Sequence, residues 1–161
     1  MVRTSRLNGY SDVHFTKPDI AQKIVEHFNP VGRCLEPFKG GGAFYQHLPI
    51  NSRWCEISEG MDFFEFKEEV DWIVTNPPFS NLTQVYEHAF KLSHHCVFLI
   101  PISKHFSSAP RLAAVKRYGG LRELCHVGTG RQIGFDIGFP FAAMHFERGY
   151  TGPISETSLA A

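Results

Sequence analysis

The sequence predicts a single α/β domain built on a mostly parallel sheet. Two observations carry that expectation. Short apolar runs alternate with amphipathic helical patterns, and Gly- or Pro-containing turns close several of those runs. The 161 residues are 43% hydrophobic and 14% aromatic, enough for one core with little left for a second. The domain is expected at residues 12–150, with 1–11 and 151–161 as flexible termini.

The elements follow in order. Ile20, Ile24, Val25 and Phe28 recur at helical spacing, and Pro18 suits the first turn of that helix. Residues 33–36 read as a short strand stopped by Pro37. Lys39-Gly40-Gly41-Gly42 is a tight loop, and 43–47 a short helix. Strands are predicted at 52–57, at the aromatic run Phe63-Phe64-Glu65-Phe66, and at 71–75, where Asn76-Pro77-Pro78 ends the pairing. Residues 82–92 form an amphipathic helix, and His94-His95 reads as a helix end. The almost wholly apolar 96–102 is a strand covered on both faces. A helix at 109–118 is closed by Gly119-Gly120, and strands at 121–127 and 141–147 complete a set of seven.

Composition narrows the function. Sixteen basic residues balance sixteen acidic ones, so a binder driven by bulk positive charge is not expected. No apolar run approaches membrane-spanning length, and no secretory signal is apparent, so a cytoplasmic location is expected. Cys34, Cys55, Cys96 and Cys125 are widely spaced and read as reduced core thiols. The nine histidines show no ligand spacing, so no metal site is expected.

Three signals carry chemistry. The first is Asn76-Pro77-Pro78-Phe79 after a predicted strand. Each proline restricts the residue before it to extended conformations, so the Asn76 amide and the Pro77 carbonyl can present two acceptors side by side. Two fixed acceptors match an exocyclic amine with its two protons, and Phe79 offers a flat face to a base. A rigid turn capped by a core phenylalanine is the plainer alternative. The second signal is Glu36-Pro37-Phe38-Lys39 running into three glycines, a βα turn that lets backbone approach a ligand. Glu36 disfavours a pyrophosphate there and favours a ligand with an amine or a cation. The third is spacing. Glu56 follows Glu36 by twenty residues, where an acid can meet ribose hydroxyls, and Asp62-Phe63 offers a carboxylate and a ring edge to an adenine.

These motifs resemble the S-adenosylmethionine-dependent amino-methyltransferases of the Rossmann-like class, most closely the branch that includes adenine-N6 DNA methyltransferases. The resemblance covers about residues 14–149. It implies a seven-stranded class I methyltransferase sheet with helices on both faces and a C-terminal antiparallel hairpin. Phe15 and Thr16 resemble the cofactor-contacting segment before the first helix, although Lys17 stands where the family more often has Pro. Glu36, Pro37, Gly40 and Gly42 resemble the loop that holds the methionine part of the cofactor. Glu56 and Ile57 match the ribose-binding acid and its neighbour, and Asp62-Phe63 the adenine-binding pair. Asn76, Pro77, Pro78 and Phe79 match the catalytic tetrad, with Asn76 also at the cofactor. Ser80, Lys104, His105 and Arg131 are the substrate contacts expected from position. The implied cofactor is S-adenosylmethionine, and the implied substrate is adenine in DNA, flipped out or single-stranded. RNA adenine, a protein glutamine amide and a non-catalytic subunit are the alternatives. No stretch is long enough for a recognition domain, so a second copy or a recognition partner is expected.

Overall fold

The computed structural model describes residues 14–159. A seven-stranded sheet in the order β2-β1-β3-β4-β6-β5-β7 organises them. The strands are β1 (Cys34–Glu36), β2 (Arg53–Trp54), β3 (Val70–Thr75), β4 (Ser93–Pro101), β5 (Gly119–Thr129), β6 (Pro140–Arg148) and β7 (Ser155–Ser158). β1 pairs in parallel with β2 and β3, β3 with β4, and β5 with β7, whereas β6 runs antiparallel to both β4 and β5. The fold is the expected Rossmann-like one.

The helices are α1 (Pro18–Phe28), α2 (Leu82–Leu92), α3 (Ile102–Phe106) and α4 (Ala109–Tyr118). Ala21, Ile24 and Val25 of α1 pack with Val97 and Leu99 on one face of the sheet. Val85, Tyr86 and Ala89 of α2, with Ala114 and Val115 of α4, pack with Cys96, Phe98 and Ile100 on the other. The alternation along β4 serves two cores, as its unbroken apolar run requires. Gly119 caps α4, donating its amide to the Val115 carbonyl, and at the same point starts β5. A Cβ there would lie 2.2 Å from the Glu147 carbonyl oxygen, so only glycine lets β6 approach.

Several expectations are corrected. The run 63–66 is a single 3-10 turn, Phe63–Glu65, because Asp62 Oδ1 accepts the Phe64 amide and closes the chain on itself. The predicted strand 52–57 shrinks to Arg53–Trp54, and the short helix at 43–47 to a 3-10 turn at Tyr45–His47. His94 and His95 lie inside β4, which starts directly after α2. The tail expected to fray from 151 instead supplies the seventh strand. β7 pairs along β5, Thr157 Oγ1 donates to Glu123 Oε1 at 2.6 Å, and the Leu159 amide donates to the His126 carbonyl. A small polar edge strand held by backbone bonds leaves no hydrophobic alternation to read. The terminus at 1–11 lies outside the described residues. The four cysteines are buried and free. No helix among the described residues is long and apolar enough to cross a membrane.

A cleft at the switch point of the sheet

From β1 the chain moves to β2 on one side and later to β3 on the other. The topology therefore opens a crevice beyond the carboxyl ends of β1 and β3, where α/β sheets bind ligands. A cleft of about 1220 Å³ lies there, bounded by segments 14–18, 36–46, 56–64 and 76–81. Phe15, Thr16, Glu36, Pro37, Gly40, Glu56, Ile57, Asp62, Phe63, Asn76, Pro77, Pro78 and Ser80 all line it. One cleft thus gathers thirteen of the site residues expected from sequence.

The two acids brace the glycine loop. Glu36 ends β1 with its carboxyl 1% exposed, and its Oε1 accepts the Phe38 amide at 3.0 Å. Burial pushes its pKa up to about 8, against the pull of the nearby Thr75 hydroxyl and the Phe38 amide and with reinforcement from the Glu56 charge. That Thr75 hydroxyl makes no hydrogen bond of good geometry among the described residues. Glu36 therefore carries a proton at neutral pH. Glu56 is the opposite case. Burial raises its pKa, but hydrogen bonds from Ser58 and Gly40, with the Lys39 charge, more than offset this and hold it below the ordinary value. Glu56 Oε1 accepts both the Ser58 amide and hydroxyl, and Oε2 accepts the Gly40 amide at 2.9 Å. One lone pair on Oε2 remains for a ligand hydroxyl.

Gly40 has φ +52, and a Cβ there would lie 3.0 Å from the Phe15 ring, which itself is 68% exposed. A side chain at 40 would crowd that ring, and the positive φ itself favours glycine there. Gly42 does another job. It stands outside the cleft lining with φ +87 and donates its amide to the Lys39 carbonyl, completing the turn.

Asn76 follows β3 and is held from the other wall. Its Nδ2 donates to the His14 carbonyl at 2.7 Å and to Thr16 Oγ1 at 3.1 Å. Both amide protons are engaged, which fixes the orientation of the carboxamide. Its Oδ1 is buried without a hydrogen-bond partner among the described residues. A buried acceptor left open beside a cleft costs stability unless a ligand completes it.

Four expected contacts lie elsewhere. Phe79 stands outside the cleft lining, with its ring stacked on His14 at 5.6 Å and tilted onto Phe141 at 5.8 Å, so it anchors the tetrad to the core. His105 is 2% exposed, with Nδ1 3.0 Å from the Tyr86 hydroxyl and its ring against Phe146. Sequence proximity to β4 suggested a surface contact, but the turn into α3 points this ring inward. Lys104 is exposed on α3 and Arg131 on the 129–140 connection, both outside the lining. The sequence reading missed His14, Lys39, Gln46, Ser58 and Phe64, which complete much of the wall. Ser58 was accessible to it, since a serine two residues after an acid can cap that carboxylate. Lys39 was not. Its ammonium is folded 3.6 Å over the Trp54 ring and bonded to Glu59 at 2.8 Å.

The modification subunit of a putative type I restriction enzyme from Vibrio vulnificus superposes with a TM-score of 0.69 at 15% identity, over 92% of this chain and 47% of that one. The fold is that of the Rossmann-like methyltransferases. A putative class I S-adenosylmethionine-dependent methyltransferase from Listeria monocytogenes matches with a TM-score of 0.65 at 10% identity, over 89% of this chain and 63% of that one. A putative RNA methyltransferase from Pyrococcus horikoshii matches at 0.58 and 12%, over 81% and 83%. The chain spans about half the length of the restriction-modification chains it matches. No family model matches it, and no curated protein does.

Proposed function

We propose that this methyltransferase-fold chain transfers the methyl group of S-adenosylmethionine to the exocyclic N6 amine of adenine in DNA. The observation that carries the reading is the Asn76 carboxamide, locked by two donations with its oxygen left open at the cleft. The residues present fit the cofactor. Gly40 provides a cradle that a Cβ would fill, Glu56 Oε2 keeps an acceptor for a hydroxyl, and Glu36 offers a carboxyl to a cation. Asp62 and Ile57 complete the proposed nucleoside side.

When bound, S-adenosylmethionine supplies an electrophilic methyl on a sulfonium. The chain's work is on the amine. Its lone pair is delocalised into the ring, which makes it a poor nucleophile. Asn76 Oδ1 and the Pro77 carbonyl accept hydrogen bonds from its two N–H groups and favour a tetrahedral nitrogen, fixed before reaction by the two prolines. The leaving proton needs no strong base in the site, because the amine becomes acidic once alkylated. Phe79 holds the loop in register, stacked on His14.

DNA is favoured as substrate by the likeness to restriction-modification modification subunits. Target recognition would come from a partner or a second copy, since the chain's balanced charge neutralises few phosphates. The direct test is purified protein with labelled cofactor and DNA, RNA and protein substrates in parallel. Transfer to DNA adenine is expected. Transfer confined to RNA or protein, or none with any of them, overturns the assignment.

A further inference from the structure

A second group of ligating side chains lies on the α1 face of the sheet, with its own residues and none of the cleft's. His27, in the last turn of α1, meets Glu123 of β5 with Nε2 2.5 Å from Oε1. Cys125 stands two residues further along the same strand and therefore on the same face. The imidazole nitrogen, carboxylate oxygen and thiol sulfur all lie within 4.8 Å of one another, with His27 exposed, Glu123 half-buried and Cys125 buried.

We propose that His27, Glu123 and Cys125 form a structural site for a borderline-soft divalent cation, zinc foremost. The donor set decides the class. One nitrogen, one oxygen and one sulfur suit zinc, whereas calcium and magnesium take oxygen ligands throughout. Around zinc, bonds of about 2.0–2.3 Å put neighbouring ligands roughly 3.3–3.8 Å apart. Side-chain adjustments of about 1 Å bring the three atoms to that spacing. The carboxylate is already oriented for it, because Thr157 Oγ1 donates to Glu123 Oε1 at 2.6 Å from β7. The exposed side of His27 leaves the fourth position to water. Sequence spacing gave no hint of the site, since His27 and Glu123 are 96 residues apart and meet only through packing of α1 on the sheet.

The consequence is mechanical. α1 begins at Pro18, directly after the cleft-lining segment 14–16, so an ion at its last turn pins the helix that carries one cleft wall. The proposal stands apart from the catalytic reading, and its test needs no activity.

The test uses untagged full-length protein stripped with a chelator. Calorimetry with zinc and absorption spectra with cobalt are recorded for the wild type, Cys125→Ser and His27→Gln. The expected result is one zinc per chain, a melting temperature raised by zinc and lowered again by chelator, and a near-ultraviolet thiolate-to-cobalt band that Cys125→Ser abolishes. A glutamine at 27 can still donate to Glu123 but ligates poorly. His27→Gln should therefore keep the metal-free melting temperature and bind zinc at least tenfold more weakly. Zinc binding unchanged in His27→Gln, or a cobalt spectrum unchanged in Cys125→Ser, overturns the site. So does the absence of stoichiometric zinc binding in the wild type.

Discussion

The polar groups buried beneath α3 and α4 and those buried at the cleft differ in who completes their hydrogen bonds. Beneath α3 and α4 the Tyr86 hydroxyl meets His105 at 3.0 Å, and Arg111 donates to the Lys104 carbonyl. Phe98 and Phe146 close around Tyr86, and Phe146 also reaches His105. Among the described residues Arg111 Nε has no partner there, on a guanidinium otherwise engaged. At the cleft the protein fixes its groups equally firmly but stops short. Asn76 Oδ1 stays open, Glu36 stays protonated, and Glu56 keeps one lone pair. Polar residues near a motif are therefore not functional by position. Being held rigidly and left incomplete beside a cavity is what separates the second region from the first.

That contrast can be broken by substitution. Apart from Asn76, the largest effect is expected at Gly40. Gly40→Val forces a Cβ against the Phe15 ring at a positive φ and should weaken S-adenosylmethionine binding by about 10- to 150-fold, the range for losing one charge-assisted contact. Titration calorimetry measures it, and an unchanged affinity would sever the loop from the cofactor. A smaller effect follows from the Glu36 proton. A cationic ligand favours the ionised carboxylate, so affinity should rise with pH up to about 8, by at most about tenfold per pH unit. The pH dependence should be flat in Glu36→Gln.

In the core region the effect should fall on stability alone. Tyr86→Phe leaves the His105 nitrogen unpaired and should cost about 1–3 kcal/mol in urea unfolding, with methyl transfer unchanged once the protein is folded. The two regions also respond to pH with opposite sign. Burial raises Glu36 from 4.5 to about 8, so its contribution is full below 4.5 and is lost as pH rises through 8. Burial, helped by Arg111, lowers His105 from 6.5 to about 4, so its contribution is full above 6.5 and is lost as pH falls toward 4. Burial and the neighbouring His95 lower His145 to about 4 in the same way. Unfolding of Glu36→Gln should lack the alkaline loss and keep the acid one.

The same comparison explains what could be read from sequence. Glu36, Glu56 and Asn76 were legible because each ends a strand or stands at a turn, where backbone direction alone decides what faces the crevice. α1, α2 and α4 were legible from their apolar spacing. His105 was not, because whether a residue after a strand points in or out depends on the turn into α3. β7 was not, because its pairing is carried by backbone bonds and one Thr157 hydroxyl. Phe79 was half legible. Its place in the tetrad is plain, but its stacking on His14 depends on a segment sixty-odd residues away that folds back across the cleft.

The central claim is that Asn76 acts on the amine while the glycine loop and acids hold the cofactor. Single-turnover methyl transfer by Asn76→Ala, with cofactor affinity measured on the same preparation, tests it most directly. The predicted result is a rate about 10²–10³-fold below the wild type, a loss at least tenfold larger than any loss of cofactor affinity. Transfer at the wild-type rate, or a fall fully accounted for by weaker cofactor binding, would contradict it and leave the Asn76 loop as a structural turn.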